Sequence, residues 1–189
     1  MIRAMDNPFR AQRLDAIGYI PQNESLGAIC DRLEMMENTA AIVGPHGSGK
    51  STLLREIQTQ FDSAGYRTCK LFISRDVKLA WKVVIECLES MQENDVLFFD
   101  GANHLPFWRF HQLKRLIRKR GLGLVMTSHS EGLLPTLVQC RTNVELLAEI
   151  VRDLLPDEPV ELWKIKALFH AHDGNIRDCL WKLYDEYGQ

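Results

Sequence analysis

The stretch Gly44-Pro45-His46-Gly47-Ser48-Gly49-Lys50-Ser51-Thr52 has the complete pattern G-x-x-x-x-G-K-[ST]. An apolar run at 39–43 precedes it, and a helical apolar pattern begins at Leu53, so the loop connects a predicted strand to a predicted helix. Glycines in such a loop lack a Cβ and adopt positive φ, which lets backbone N–H groups surround a polyphosphate. We therefore expect all nine residues to contact the phosphates of a nucleotide.

Two side chains at the end of this loop have specific expected roles. Lys50 is placed to reach the β- and γ-phosphates as a point charge, and the Ser51 hydroxyl to complete the oxygen shell of Mg²⁺. The N-terminus of the following helix adds orphan N–H groups and the positive end of its dipole. A glycine-rich turn without nucleotide is the alternative, and the strand and helix that flank the loop disfavour it.

Composition places the chain among ordinary globular proteins, with 189 residues, 46% hydrophobic and 25% charged. The formal net charge of −2 provides no overall attraction to nucleic acid or anionic membrane, so such a contact needs a local patch. The five cysteines form no C-x-x-C pair, which argues against a disulfide framework or zinc site and for a reducing compartment. With no apolar signal core and no bilayer-spanning run, we predict a cytoplasmic protein.

Apolar periodicity predicts strands that alternate with helices after an extended lead-in over 1–24. This alternation predicts a doubly wound, parallel, five-stranded α/β sheet. Strands are predicted at about 39–43, 68–73, 96–100, 122–126 and 138–142, and helices at about 25–36, 53–64, 81–91 and 105–120.

From Val144 the alternation stops, and three helical patterns follow, at about 146–154, 162–169 and 176–187. We interpret them as a small helical lid. The predicted domains are therefore an α/β nucleotide-binding core with its lead-in at 1–143 and a helical lid at 144–189.

Asp100 ends the fully apolar strand Val96-Leu97-Phe98-Phe99, about fifty residues after Lys50. A carboxylate at the carboxyl end of a parallel strand lies at the edge where such sheets bind ligands. We expect Asp100 to organise Mg²⁺ together with Ser51. The alternative is a strand-ending acid in an ordinary Asp-Gly turn with Gly101.

With these motifs, the chain resembles the additional-strand P-loop ATPases, and among them the AAA+ ATPases with a C-terminal helical lid, such as the origin-recognition proteins. The resemblance rests on four runs of sequence: 44–51 (Walker A), 96–100 (Walker B), Thr127-Ser128, and Gly174-Asn175-Ile176-Arg177. It implies an ATP-binding, Mg²⁺-dependent ATPase that couples nucleotide state to lid movement. It also implies that Ser128 is the first sensor and Arg177 the second sensor of the γ-phosphate.

The chain departs from that family directly after Asp100. AAA+ ATPases usually carry a glutamate there that activates water, whereas this chain has Gly101. Asp76 and His129 are candidate surrogates, and each is alternatively an ordinary loop residue. No Arg or Lys occurs between Ser130 and Gln139, where the family's arginine finger is expected, so a ring hexamer is disfavoured and no oligomer is required.

Other functions remain open at this stage. Gly101 also suits a nucleotide-gated binding module with very slow hydrolysis, and the length suits a small-molecule P-loop kinase, although 144–189 contains only Arg152 and Arg177 as arginines. No N-K-x-D motif is present, which disfavours a GTPase. The helix at 107–120 carries six cations and no acid, so it either contacts DNA or a protein partner, or is a solvated helix face.

Overall fold

The computed structural model describes residues 6–74, 80–158 and 161–188. Five strands form one sheet in the order β2-β3-β4-β1-β5, and every neighbouring pair is parallel. The predicted parallel five-stranded α/β fold is therefore confirmed. The strands are β1 Thr39–Val43, β2 Thr68–Phe72, β3 Val96–Asp100, β4 Gly123–Ser128 and β5 Thr136–Gln139.

Eight helices accompany the sheet in the described chain. They are α1 Ala11–Ile17, α2 Leu26–Met35, α3 Lys50–Ser63, α4 Trp81–Ser90, α5 Phe107–Lys119, α6 Val144–Leu154, α7 Leu162–Ala171 and α8 Ile176–Tyr187. Side-chain caps begin three of these helices: Ser25 accepts from Ala28 N, Asn143 from Leu146 N, and Asn175 from Asp178 N.

Helix α1 is a difference from the expected extended lead-in. Its seven residues show too little period to be recognised from sequence, and isolated helices of that length are unstable in water. Leu14 and Ile17 pack against the apolar cluster that α6 and α8 form, and this tertiary packing supports the helix. Strand β5 is also displaced, ending at Gln139 rather than near Thr142.

The chain forms two compact units. The sheet unit comprises 21–44 and 53–139 as far as they are described, and contains all five strands. Strands β3 and β4 are buried along their whole length, which is why their sequences read as continuous apolar runs. Cys69 on β2 is paired with Cys87 on α4, and the other three cysteines are free. The two cysteines lie on separate elements that pack together, so no local spacing motif marks them.

The helical unit comprises the described parts of 1–20, 45–52 and 140–189. The three C-terminal helices are present where the sequence predicts them, and they pack around a core that includes Phe9 and Leu147. The domain boundary at 143/144 stays a prediction. Within the residues that the structure describes, no helix is both long and apolar enough to cross a bilayer.

Candidate nucleotide-binding site

The phosphate loop has a left-handed backbone at two of its three glycines, whereas Gly44, also expected to be able to adopt positive φ, does not. Strand β1 ends at Val43, the Gly44 N–H donates to Ser128 O at 3.1 Å, and α3 begins at Lys50. Gly47 and Gly49 have φ of 70° and 82°, a region that L side chains rarely occupy. The chain thus passes from strand to helix through a glycine-dependent turn, and the expected strand, loop and helix are all observed.

Polar side chains of this loop turn back onto its own backbone. Lys50 Nζ donates to Pro45 O at 2.5 Å, and Ser48 Oγ donates to the same carbonyl at 2.9 Å. Lys50 is 8% exposed, so its ammonium is held within the loop rather than extended into solvent. Ser51 lies exposed in the first turn of α3, and Thr52 follows it. The loop therefore holds the Lys50 ammonium close to its own backbone. A bound terminal phosphate would replace the Pro45 carbonyl as the acceptor of its hydrogen bond.

A cavity of about 240 Å³ lies beside the loop within the helical unit. Gly47, Ser48, Gly49 and Thr52 form one wall. The remaining walls are mostly apolar side chains from the segment before α2 and from α6 and α8, including Tyr19, Ile20, Ile150, Leu180 and Trp181. A recognition cavity of this character, largely apolar with a few polar groups, is typical of small-molecule sites.

Sequence reasoning missed the role of Tyr19. A Cβ built on Gly49 would lie 3.4 Å from the Tyr19 ring, so this ring packs directly on the loop. The two residues are thirty positions apart in the chain, and no periodic pattern connects them. The signal that was available is the short run Gly18-Tyr19-Ile20-Pro21, an aromatic residue in an otherwise irregular segment.

The predicted second sensor also lies at this cavity. Arg177 is one of its lining residues, in the first turn of α8. A Cβ on Gly47 would overlap Asn175 Oδ1 and would lie 3.1 Å from the Arg177 backbone nitrogen. The cap of α8 is therefore in contact with the phosphate loop, and this contact requires glycine at position 47.

In the sheet unit, Asp100 is held by a neighbouring hydroxyl. Thr127 Oγ1 donates to Asp100 Oδ1 at 2.7 Å and accepts from Gly101 N at 2.8 Å. All three residues are buried, with Asp100 8% exposed and Thr127 3% exposed. Among the described residues no group donates a hydrogen bond to Asp100 Oδ2, so this oxygen is the one available to a cation.

Ser128, the predicted first sensor, makes its hydrogen bonds within its own turn. Its Oγ donates to Ser130 O at 2.7 Å and accepts from Ser130 N at 3.2 Å. His129 Nδ1 lies 3.4 Å from Gly44 O, and its ring centroid lies 6.2 Å from that of His104. Of the two candidate water-orienting residues, His129 is thus next to the start of the phosphate loop, and Asp76 lies outside the described residues.

The structure gives a physical reason for Gly101. Its φ of 79° is in the left-handed region, and a Cβ there would overlap Ile73 O. Strand β2 pairs with β3 so that Phe72 is opposite Asp100, which brings the Ile73 carbonyl against Gly101. A glutamate at this position is sterically excluded in this backbone.

The two predicted metal ligands, the Asp100 carboxylate and the Ser51 hydroxyl, have the chemistry of a Mg²⁺ site that substrate phosphates complete. Mg²⁺ keeps several waters and binds one or two protein oxygens together with substrate phosphates. The Asp100 carboxylate and the Ser51 hydroxyl each have that chemistry. In the described parts of the chain, no group of three or more His, Cys, Asp or Glu side chains is arranged to hold an ion.

The sequence matches no protein-family model and no curated protein. Three matching solved structures are mutant forms of RuvB from Thermotoga maritima, an AAA+ P-loop ATPase. Their sequences are 18%, 19% and 20% identical to this chain, with TM-scores of 0.60, 0.61 and 0.58. The matches cover 92%, 87% and 84% of this chain, but only 61%, 62% and 58% of the RuvB chains.

This chain thus spans about three fifths of the length of the RuvB structures it matches. At such identities the likeness concerns the fold alone. The expected α/β fold with a parallel five-stranded sheet is confirmed, and it is similar to the fold of these RuvB structures.

Proposed function

We propose that this protein is an ATP-binding, Mg²⁺-dependent ATPase of AAA+-like type that couples nucleotide state to movement of the helical lid. The observation that carries the proposal is the phosphate loop, whose left-handed Gly47 and Gly49 lead into the N-terminus of α3. Its own lysine is folded inward beside it. A loop of this form presents several backbone N–H groups to one anion, and this arrangement suits a polyphosphate.

Roles for the side chains follow from their chemistry. Lys50 binds the β- and γ-phosphates, Ser51 and Asp100 hold Mg²⁺ through oxygen, and Thr127 holds the Asp100 carboxylate in one orientation. Mg²⁺, when bound, neutralises charge on the phosphates. Arg177 lines the cavity beside the loop, and in this proposal its guanidinium would bind the terminal phosphate.

The adenine base occupies the cavity of about 240 Å³ beside the loop. Its apolar walls include Ile20, Ile150 and Trp181, which suit the flat faces of a purine. The Tyr19 ring, packed against Gly49, lines this cavity together with the phosphate loop and would contact the nucleotide there.

Coupling to the lid rests on the contact between Gly47 and the cap of α8. A ligand can shift a conformational equilibrium only as far as it interacts differently with the two states. A phosphate in the loop would meet Arg177 and the Asn175 cap, both at the N-terminus of α8. Binding and loss of the γ-phosphate would therefore change the position of α8.

A nucleotide-gated binding module with very slow hydrolysis is the second candidate, and Gly101 favours it. At the position where this type of ATPase usually activates water, a side chain would overlap Ile73 O in this backbone. In this version of the function, bound ATP keeps the lid in one state and a partner recognises that state.

Phosphate release from ATP, measured with and without Mg²⁺, separates the two candidates. Turnover above about one per minute supports the ATPase, and tight ATP binding with turnover below about one per hour supports the switch. Absence of ATP binding at about 1 mM would reject both. A transfer of the labelled γ-phosphate to a metabolite would reveal the kinase alternative.

The cytoplasmic location and the absence of a required oligomer stay predictions.

A further inference from the structure

One face of α5 carries cations that have no partner within the part of the chain that the structure describes. Arg115, Arg118 and Lys119 are exposed, and none of them forms a hydrogen bond or ion pair with any described residue. No acidic residue occurs between Phe107 and Arg120, so no carboxylate on the same helix balances them. In a chain with a net charge of −2, this is a strongly local positive surface.

Exposed aromatic rings lie at the start of the same helix. Phe107 is 73% exposed and Trp108 is 59% exposed, fractions that are high for side chains of this size. The Arg109 guanidinium stacks 4.0 Å from the Trp108 ring centroid and 4.6 Å from that of Trp81. The His111 ring lies 4.2 Å from that of Phe107. The first turn of α5 therefore presents flat, cation-backed faces to solvent.

A cavity of about 980 Å³ borders the other end of α5, within the sheet unit. Its lining contains three permanent cations, Lys114, Arg115 and Arg118, and a single carboxylate, Glu37. Asn38 also lines it, with a left-handed φ of 53°. Its Oδ1 is buried and has no hydrogen-bond partner among the described residues. The cavity itself is predominantly cationic, with three cations against one carboxylate.

We propose that the aromatic and cationic face of α5, together with this cavity, binds single-stranded nucleic acid. Phosphates contact Arg115 and Arg118, and bases stack on Trp108 and Phe107. This goes beyond the proposed function, since the surface belongs to the sheet unit and requires no nucleotide in the phosphate loop.

The combination of exposed cations and exposed aromatic rings on α5 favours single-stranded nucleic acid over other polyanions. An acidic protein would satisfy the cations, but it would leave two exposed aromatic rings without a stacking partner. Duplex DNA satisfies the cations too, but its bases are stacked inside the helix and present no free faces. Single strands offer both backbone charge and free base faces, and proteins bind them through basic grooves with aromatic platforms.

Binding is tested with the full chain and a fluorescently labelled oligothymidylate of about 20 nucleotides, by anisotropy in low salt without ATP. Arg115→Ala combined with Arg118→Ala should weaken binding and reduce the slope of log affinity against log salt by about 1.4, because single strands lose about 0.7 per phosphate contact. Trp108→Ala should weaken it about 5- to 100-fold through lost base stacking.

Matched controls come from α7, which lies outside this surface. Lys164→Ala combined with Lys166→Ala removes two exposed cations, and Trp163→Ala removes a tryptophan that is 68% exposed. Neither control should change affinity more than about twofold. Circular dichroism of every variant verifies the fold.

Three results would overturn the proposal: no anisotropy change up to about 100 µM protein, equal losses in the α5 and α7 variants, or displacement by polyglutamate as effective as by unlabelled strand. The last result would indicate an acidic protein partner. ATP binding measured on the same preparation keeps a failure of this proposal distinct from a failure of the proposed ATPase.

Discussion

The Thr127 hydroxyl donates to Asp100 Oδ1 at 2.7 Å, and it does so from a strand next to the one that Asp100 ends. Thr127 Oγ1 also accepts a hydrogen bond from the Gly101 N–H at 2.8 Å, so this hydroxyl is both a donor and an acceptor. This pair of hydrogen bonds holds the carboxylate in one rotamer and leaves Oδ2 as its remaining ligand atom. The geometry makes Thr127 a positioning residue for the proposed Mg²⁺ site.

Replacing Thr127 by valine tests this relationship. Valine has nearly the same shape but lacks the hydroxyl, and a hydrogen bond to a charged group contributes about 1.5–3 kcal/mol. We expect Thr127→Val to raise the Mg²⁺ concentration needed for ATP binding or turnover by about 10- to 100-fold. Mg²⁺ titration of a fluorescent ATP analogue measures this shift.

Thr127→Ser retains the hydroxyl and is the matched control, so it should behave like the unaltered protein within about threefold. An unchanged Mg²⁺ dependence in Thr127→Val would remove Thr127 from the site.

A side chain at Gly101 should destabilise the protein. Gly101→Ala combines a left-handed φ of 79° with an overlap against Ile73 O. Gly132→Ala is a useful control, since Gly132 has φ of 96° and no other atom within 4 Å of the added Cβ. Both variants carry a backbone cost of about 1–2 kcal/mol, and the overlap should add at least about 1 kcal/mol for Gly101→Ala.

Urea unfolding measures the two free energies. Gly101→Glu should likewise fail to accelerate phosphate release. Equal free energies of unfolding for the two alanine variants would show that the end of β2 shifts at little cost. Faster phosphate release by Gly101→Glu would contradict the overlap with Ile73 O as the reason for glycine at this position.

The contact between the phosphate loop and α8 predicts a non-additive pair of substitutions. Gly47→Ala alone places a Cβ against the Asn175 side chain and should reduce stability and ATP affinity. Asn175→Gly alone should cost only a few tenths of a kcal/mol, because glycine is tolerated at helix N-caps. The double variant should recover about 0.5–3 kcal/mol relative to the sum of the single effects. Strict additivity would mean that the two residues do not touch.

The phosphate-binding roles predict different losses for two charged residues. Lys50→Ala should reduce ATP affinity by about 100-fold or more, since a close charge pair is lost. Asp100→Ala should spare ATP binding more than turnover, because the carboxylate acts through the metal. Isothermal titration and phosphate release measure both. Lys70→Ala, an exposed cation on β2, is the control and should match the unaltered protein.

Alkaline unfolding should depend on Tyr187. Burial, and then the hydrogen bond from its hydroxyl to Glu158, raise the pKa of Tyr187 to about 12. An unfolded tyrosine has a pKa of about 10, so between these values the folded state binds more protons and stability falls as pH rises. Tyr187→Phe should flatten this fall while keeping the ring contact with Phe9.

Melting temperatures at about pH 9 and about pH 11 measure the effect, and an equal drop in both proteins would contradict it.

Local features of this chain were predictable from sequence, because their causes are local. The glycine spacing of the phosphate loop requires particular φ values at Gly47 and Gly49, and both are observed. The apolar run that ends at Asp100 is buried on both faces, so strand β3 could be recognised without any knowledge of its neighbours.

Features that depend on register were not predictable. Adjacent strand residues point to opposite faces, so the choice between Thr127 and Ser128 as the partner of Asp100 depends on how β4 pairs with β3. That pairing places Met126 opposite Phe99, one step before Thr127 meets Asp100. The position of Tyr19 over Gly49 likewise arises from packing between distant segments.

Because the Ile73 carbonyl fills the space beside Gly101, we expect that no single substitution there would speed the ATP hydrolysis that we propose. A faster version would require β2 to end differently or a second molecule to supply the missing group. In the proposed function, the lifetime of the ATP-bound state would thus depend on how β2 pairs with β3, and a partner that supplies a water-activating group would shorten it.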